Sequence, residues 1–88
     1  MRFHLIVWME SQEEWHDVDE INVPRKHRHD ALSYAMAVAR NTHPRLRGLW
    51  AVVPIANLDE AMARDPRKGL TLAEEYGALW TSLGYEAA

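Results

Sequence analysis

The segment from Phe3 to Met9 constrains the fold of this chain most strongly. Nearly every position in it is apolar, and its aromatic and β-branched residues favour a β-strand. A strand that is apolar on both faces is typical of the interior of a sheet, because both faces must then be covered. The chain is therefore expected to build a sheet around this segment.

A second, weaker strand is predicted from Trp15 to Val23, after a polar turn at residues 11–14. Its alternation is imperfect, with Ile21 and Val23 on one face. Its many carboxylates suit an exposed edge, where charge discourages edge-to-edge aggregation. Pro24 should end the strand, because proline donates no ladder hydrogen bond.

A helix should follow, since Leu32, Ala35, Met36 and Ala39 share one face at helical spacing. Asp30 is expected either as its N-cap residue or as a first-turn acid that favours the helix dipole. A third strand is predicted over residues 49–55, ahead of a short helix with a capping box that begins at Asn57. A last helix is predicted over residues 71–83, which Gly84 would end.

These elements predict one α+β domain over residues 1–88, in the order β-β-α-β-α-α. A hairpin followed by a right-handed crossover gives a mainly antiparallel three-stranded sheet of order 2-1-3. The helices are expected to pack on one face. Ile6, Trp8 and Trp50 would then occupy the opposite face, and covering them would need a dimer or a partner.

Composition limits the compartment and the chemistry. The 88 residues include no Cys, which excludes disulfides, thiolate metal sites and a cysteine nucleophile. The apolar run near the start is too short for a signal-peptide core or a membrane span. A cytoplasmic protein with no membrane association is expected.

Charge is distributed unevenly along the chain. Six carboxylates and no Lys or Arg lie within residues 10–20, whereas residues 25–47 hold six fixed cations and one acid. Such polarity orients a protein toward a partner. The net charge of −3 argues against a general binder of polyanions.

The acidic stretch is the first candidate site and predicts contact with a protein partner. Trp15 stands within it, either as an exposed interface anchor or as a lid folded over the sheet. The partner-binding residues predicted here are Trp15, Glu13, Glu14, Asp17, Asp19 and Glu20.

The basic stretch is the alternative site, and it predicts binding to an anion or a nucleic acid. Its residues are Arg25, Lys26, Arg28, Arg45 and Arg47. The last two would lie at the far end of the helix from the others. The favoured interpretation is a solvated loop whose cations pair with the acidic strand of the same molecule or of a neighbour.

No catalytic residue, metal site or cofactor is predicted, because no nucleophile, nucleotide or zinc motif is present. The first hypothesis is thus a small non-enzymatic regulatory protein, such as an accessory protein of bacteria or phage, that acts by protein–protein contact. The second is a nucleic-acid-binding protein. The third is a small dimeric enzyme, because the helix at residues 59–61 resembles one in ferredoxin-like isomerases and oxygenases.

Overall fold

The computed structural model describes residues 1–46, 48–63 and 79–80, the last two by their backbone alone. Strand β1 spans Arg2–Met9 and β2 spans Glu14–Asn22. In the turn between them, the Gln12 N–H donates to the carbonyl of Met9 (3.1 Å). Glu13 has a φ of 52° there, a left-handed conformation that its Cβ disfavours.

Helix α1 spans Ala31–Thr42 and follows a single 3-10 turn at Arg25–His27. It starts where the sequence predicts. Asp30 occupies the predicted N-cap position, although its side chain makes no capping hydrogen bond. Its carboxylate instead lies 3.4 Å from the His27 Nδ1.

Strand β3 spans Leu49–Pro54, and a 3-10 turn at Ile55–Asn57 leads into helix α2 at Leu58–Met62. Asn57 makes no capping hydrogen bond either, which corrects the predicted capping box. Within the described residues, no helix has the length and apolar content that a membrane crossing requires.

The sheet has the order β2-β1-β3-β4, where β4 is the two-residue strand Leu79–Trp80. Strand β1 is antiparallel to both β2 and β3, so these two run in the same direction. The predicted 2-1-3 order is therefore confirmed. At residues 79–80 the predicted last helix is wrong, because β4 pairs there with β3. The rest of that predicted helix lies outside the described residues.

Helix α1 covers one face of the sheet, here called the α1 face. Its buried residues Ala31, Ala35 and Ala39 have small side chains, which lets the helix lie close to the strands. They pack in one cluster with Val23, which follows β2, and with residues from all three long strands, namely Phe3, Leu5, Ile21, Trp50 and Val52. Trp50 thus belongs to the α1 face, which corrects its predicted position.

The opposite face, here called the α2 face, carries the second helix. Ala61 of α2 is fully buried in a cluster that contains Ile6, Trp8 and Trp15, with Leu58 and Met62 packed against it. The prediction that both helices share a face is wrong. The chain covers Ile6 and Trp8 with its own residues, so their burial requires no partner.

Candidate functional site

The acidic residues of β2 lie on an edge strand. Strand β1 pairs with one side of β2, and no strand among the described residues pairs with its other side. We define the acidic strand by its four carboxylates, Glu14, Asp17, Asp19 and Glu20, whose side chains are exposed or partly exposed. Glu13, also predicted as a site residue, lies in the preceding turn and is exposed.

A β-bulge at Val18 explains the imperfect alternation of β2. Leu5 of β1 pairs with Asp19 and Ile6 pairs with Asp17, which leaves Val18 as an extra residue. An extra residue reverses the face on which all earlier side chains lie. Ile21 therefore packs on the α1 face, whereas Trp15 packs on the α2 face.

Trp15 is a core residue in this structure. Its relative exposure is 5%, and its ring meets that of Trp8 edge to face at 5.5 Å between centroids. Edge-to-face contact is a favourable arrangement for two aromatic rings. The prediction of an exposed aromatic anchor is wrong. Trp15 is buried, as the alternative expected, but it packs from within β2, paired with Trp8, rather than as a lid folded over the sheet.

Histidines contact three of the four carboxylates. The His43 Nε2 lies 2.8 Å from the Asp19 Oδ2, the His4 Nδ1 lies 2.9 Å from the Asp17 Oδ2, and the His16 Nε2 lies 3.2 Å from the Glu14 Oε1. Glu20 alone among the four pairs with a fixed cation in the described residues, at 3.4 Å from Arg2. Within the described residues, a fixed cation therefore compensates only one of the four carboxylates.

The carboxylate of Asp19 contacts two groups, the His43 ring and the backbone N–H of Glu20. A hydrogen bond with His43 lowers the pKa of Asp19 below its ordinary value of 3.8, although partial burial opposes the shift. The backbone N–H of Glu20 also donates to this carboxylate (2.8 Å) and lowers the pKa further. Asp19 thus favours its charged form.

His4 is held on the central strand. One ring nitrogen contacts Asp17, and the other, Nε2, is buried with no hydrogen-bond partner among the described residues. A proton on Nδ1 would be donated to Asp17 and would leave Nε2 an unpaired acceptor, which costs free energy. The buried Nε2 and the contact with Asp17 thus fix the orientation of the His4 ring on β1.

The four cations of the alternative site that the structure describes are exposed. We call Arg25, Lys26 and Arg28 the basic turn; within the described residues none of them pairs with a carboxylate. The prediction that they pair with the acidic strand of the same molecule is therefore wrong. Between them, His27 stacks on Tyr34 at 4.3 Å between ring centroids.

The predicted basic residues do not form one patch. Arg45 follows the C-terminal end of α1, whereas the basic turn precedes its N-terminal end. The 12 residues of α1 separate these two positions by about 18 Å. Arg47 lies outside the described residues.

The described residues hold no group of three or more His, Asp or Glu side chains placed to bind a metal ion. The histidine–carboxylate pairs were missed by the sequence interpretation, because His43 and Asp19 are 24 residues apart. The His4–Asp17 pair could have been found from the hairpin register, had the bulge been anticipated.

Comparison with known proteins gives no further guidance: no family model, curated protein or solved structure matches this chain.

Proposed function

We propose that this chain is a non-enzymatic binding protein that holds an extended, basic segment of a partner protein along the acidic strand β2. The observation that carries the proposal is the coincidence of a sheet edge with a row of carboxylates. A role as a cytoplasmic regulator of the kind found among bacterial or phage accessory proteins belongs to the same proposal. The lack of cysteine is compatible with a reducing compartment.

The backbone of β2 supports this mode of binding. An edge strand presents N–H and C=O groups that can pair with an added strand. Strand β2 has nine residues, which is long for an edge, and the bulge leaves segments on both sides of Val18. Strand addition supplies affinity, and side chains then select the partner.

Charge selects the class of partner. The acidic strand has four carboxylates and one pairing Arg, so a segment rich in Lys and Arg would find complementary charge. A second copy of the chain fits less well, because two acidic strands placed side by side would repel each other. Since Trp15 is buried, recognition relies on backbone and charge rather than on an aromatic anchor.

A nucleic-acid-binding protein remains the second candidate, favoured by the exposed cations of the basic turn. Phosphate contacts need several cations that act together. Here Arg45 is separated from the basic turn by the length of α1, and the acidic strand contributes an opposing field. The geometry therefore supports the basic protein segment better.

Fluorescence anisotropy with a labelled short peptide rich in Lys and Arg tests the proposal, with labelled random-sequence RNA and DNA measured in parallel. The test variant combines Asp17→Asn with Glu20→Gln, which removes two charges from β2. The matched control combines Asp30→Asn with Asp59→Asn, which removes two exposed charges at the starts of α1 and α2.

The wild type and the control should bind the peptide equally, and the test variant should bind about threefold to tenfold more weakly at low salt. Equal loss in the two variants would show that only net charge matters. Binding of RNA or DNA alone, with a steep dependence on salt, would favour the second candidate instead.

A further inference from the structure

A groove lies beside the acidic strand on the α1 face. Its volume is about 450 Å³, and it is bounded by the end of β1, the bulge of β2 and the loop after α1. Val7, Val18, Pro44 and Leu46 give it a mainly apolar lining. His43 and Arg45 lie on the loop side of the groove.

Val18 joins this groove to the acidic strand. As a residue it is 47% exposed, and it is one of three large exposed apolar residues among those described. Its neighbours in the chain are Asp17 and Asp19, two of the carboxylates that define the acidic strand. A segment that paired with β2 would therefore run beside Val18, the residue that β2 contributes to the lining of the groove.

The charges around the groove indicate what would occupy it. Carboxylates lie on the β2 side, whereas Arg45 lies on the opposite, loop side. A bound segment would thus keep its Lys and Arg residues over β2 and direct an uncharged side chain inward. The groove is shallow and largely open to solvent, which suits a side chain presented by an extended chain.

We infer that the groove takes one aliphatic side chain, such as leucine, from the basic segment that lies along β2. The partner is then a basic extended segment with an apolar residue at the position opposite the bulge. This inference rests on the proposed function and adds the sequence preference that charge alone cannot supply. Removal of the aliphatic side chain from water drives its insertion.

The test compares two labelled peptides of identical Lys and Arg content, one with leucine at its centre and one with serine. Each is titrated against the wild type, Val18→Asn and Ile55→Asn. Ile55 is the matched control, because it is also an exposed apolar residue, at 42%, but does not line the groove. Both substitutions are at the surface, and circular dichroism checks that each variant is folded.

The wild type and Ile55→Asn should bind the leucine peptide about tenfold more tightly than the serine peptide. This difference is smaller than the full free energy of burying a leucine side chain, because the groove covers the side chain only in part. Val18→Asn should bind both peptides equally. Equal binding of the two peptides by the wild type would overturn the inference but leave the proposed function standing. A leucine preference that survives in Val18→Asn would also overturn it. Failure of both peptides to bind would overturn both proposals.

Discussion

The acidic strand and the basic turn are neighbours in the chain and opposite in charge, yet they do not neutralise each other. Three carboxylates of β2 contact histidines from β1, from β2 itself and from the end of α1. The cations of the basic turn contact no carboxylate within the described residues. Sheet register and helix direction, rather than closeness in sequence, therefore decide which charges meet.

Within β2, the residues that hold the strand in place differ from the residues that are available for binding. Strand β2 is held by Trp15 on the α2 face and by Ile21 on the α1 face, one on each side of the bulge. Its exposed ion pairs add little to the free energy of unfolding, since such pairs typically contribute less than about 1 kcal/mol. The carboxylates can therefore change partners without loss of the strand.

The largest expected effect comes from Trp15→Ala, which tests whether apolar packing holds the acidic strand in place. Truncation of a buried Trp typically lowers the free energy of unfolding by about 3–5 kcal/mol. That is a large share of the stability of a domain of this size. Urea denaturation followed by circular dichroism measures the change.

Trp15→Phe is the matched control. It should lower the free energy of unfolding much less, because it keeps an aromatic ring against Trp8. A fully folded Trp15→Ala with unchanged stability would contradict the burial of this side chain. It would also restore the interpretation of Trp15 as an interface residue.

The sequence predicted the sheet order because the apolar run of β1 and the proline after β2 define a hairpin. The right-handed crossover rule then places β1 between β2 and β3. It did not predict the face of Trp15, since a single inserted residue at Val18 reverses the faces and leaves no distinct mark in the pattern. Nor did it predict that α2 would cross to the second face. That choice depends on the space above Ile6 and Trp8, which only the assembled sheet defines.

For the candidate site, the sequence predicted the exposed carboxylates but not the histidines that contact them. The carboxylates Asp17, Asp19 and Glu20 do lie on an exposed edge, as their number in one strand suggested. The pairing of His43 with Asp19 could not be foreseen, because it depends on where the C-terminal end of α1 meets the bulge.

A smaller effect is expected from Asp19→Asn, which weakens one of the histidine contacts. Because the folded pKa of Asp19 is lowered, its charge stabilises the fold above the unfolded value of 3.8, and this contribution is lost as pH falls through the folded pKa. Both side chains are 34% exposed, so the loss near neutral pH should be only about 0.2–1 kcal/mol.

Urea denaturation at neutral pH and at a series of acidic pH values checks this prediction. The difference between wild type and variant should shrink in acid. His43→Asn should lower the free energy of unfolding by a similar amount at neutral pH. The double variant should lower it no more than either single variant does. A deficit that persists undiminished at the lowest pH would mean that Asp19 acts through something other than its charge.

The smallest effect is expected when Arg25→Ala and Lys26→Ala are combined. These side chains contact no carboxylate in the described part of the chain, so the free energy of unfolding should change by less than about 0.5 kcal/mol. Thermal or urea unfolding is sufficient to measure it. A loss of more than about 1 kcal/mol, as for a buried contact, would show that the basic turn has a structural partner.

The most direct test of the account is amide hydrogen exchange, followed residue by residue in ¹⁵N-labelled protein with and without the leucine-containing basic peptide. Pairing of the peptide with β2 should slow exchange of the amides of Glu14–Asn22 that β1 leaves unpaired, and should leave the basic turn unchanged. Unchanged exchange throughout β2 under saturating peptide, or slowing confined to Arg25–Arg28, would contradict the assignment of the acidic strand as the binding edge.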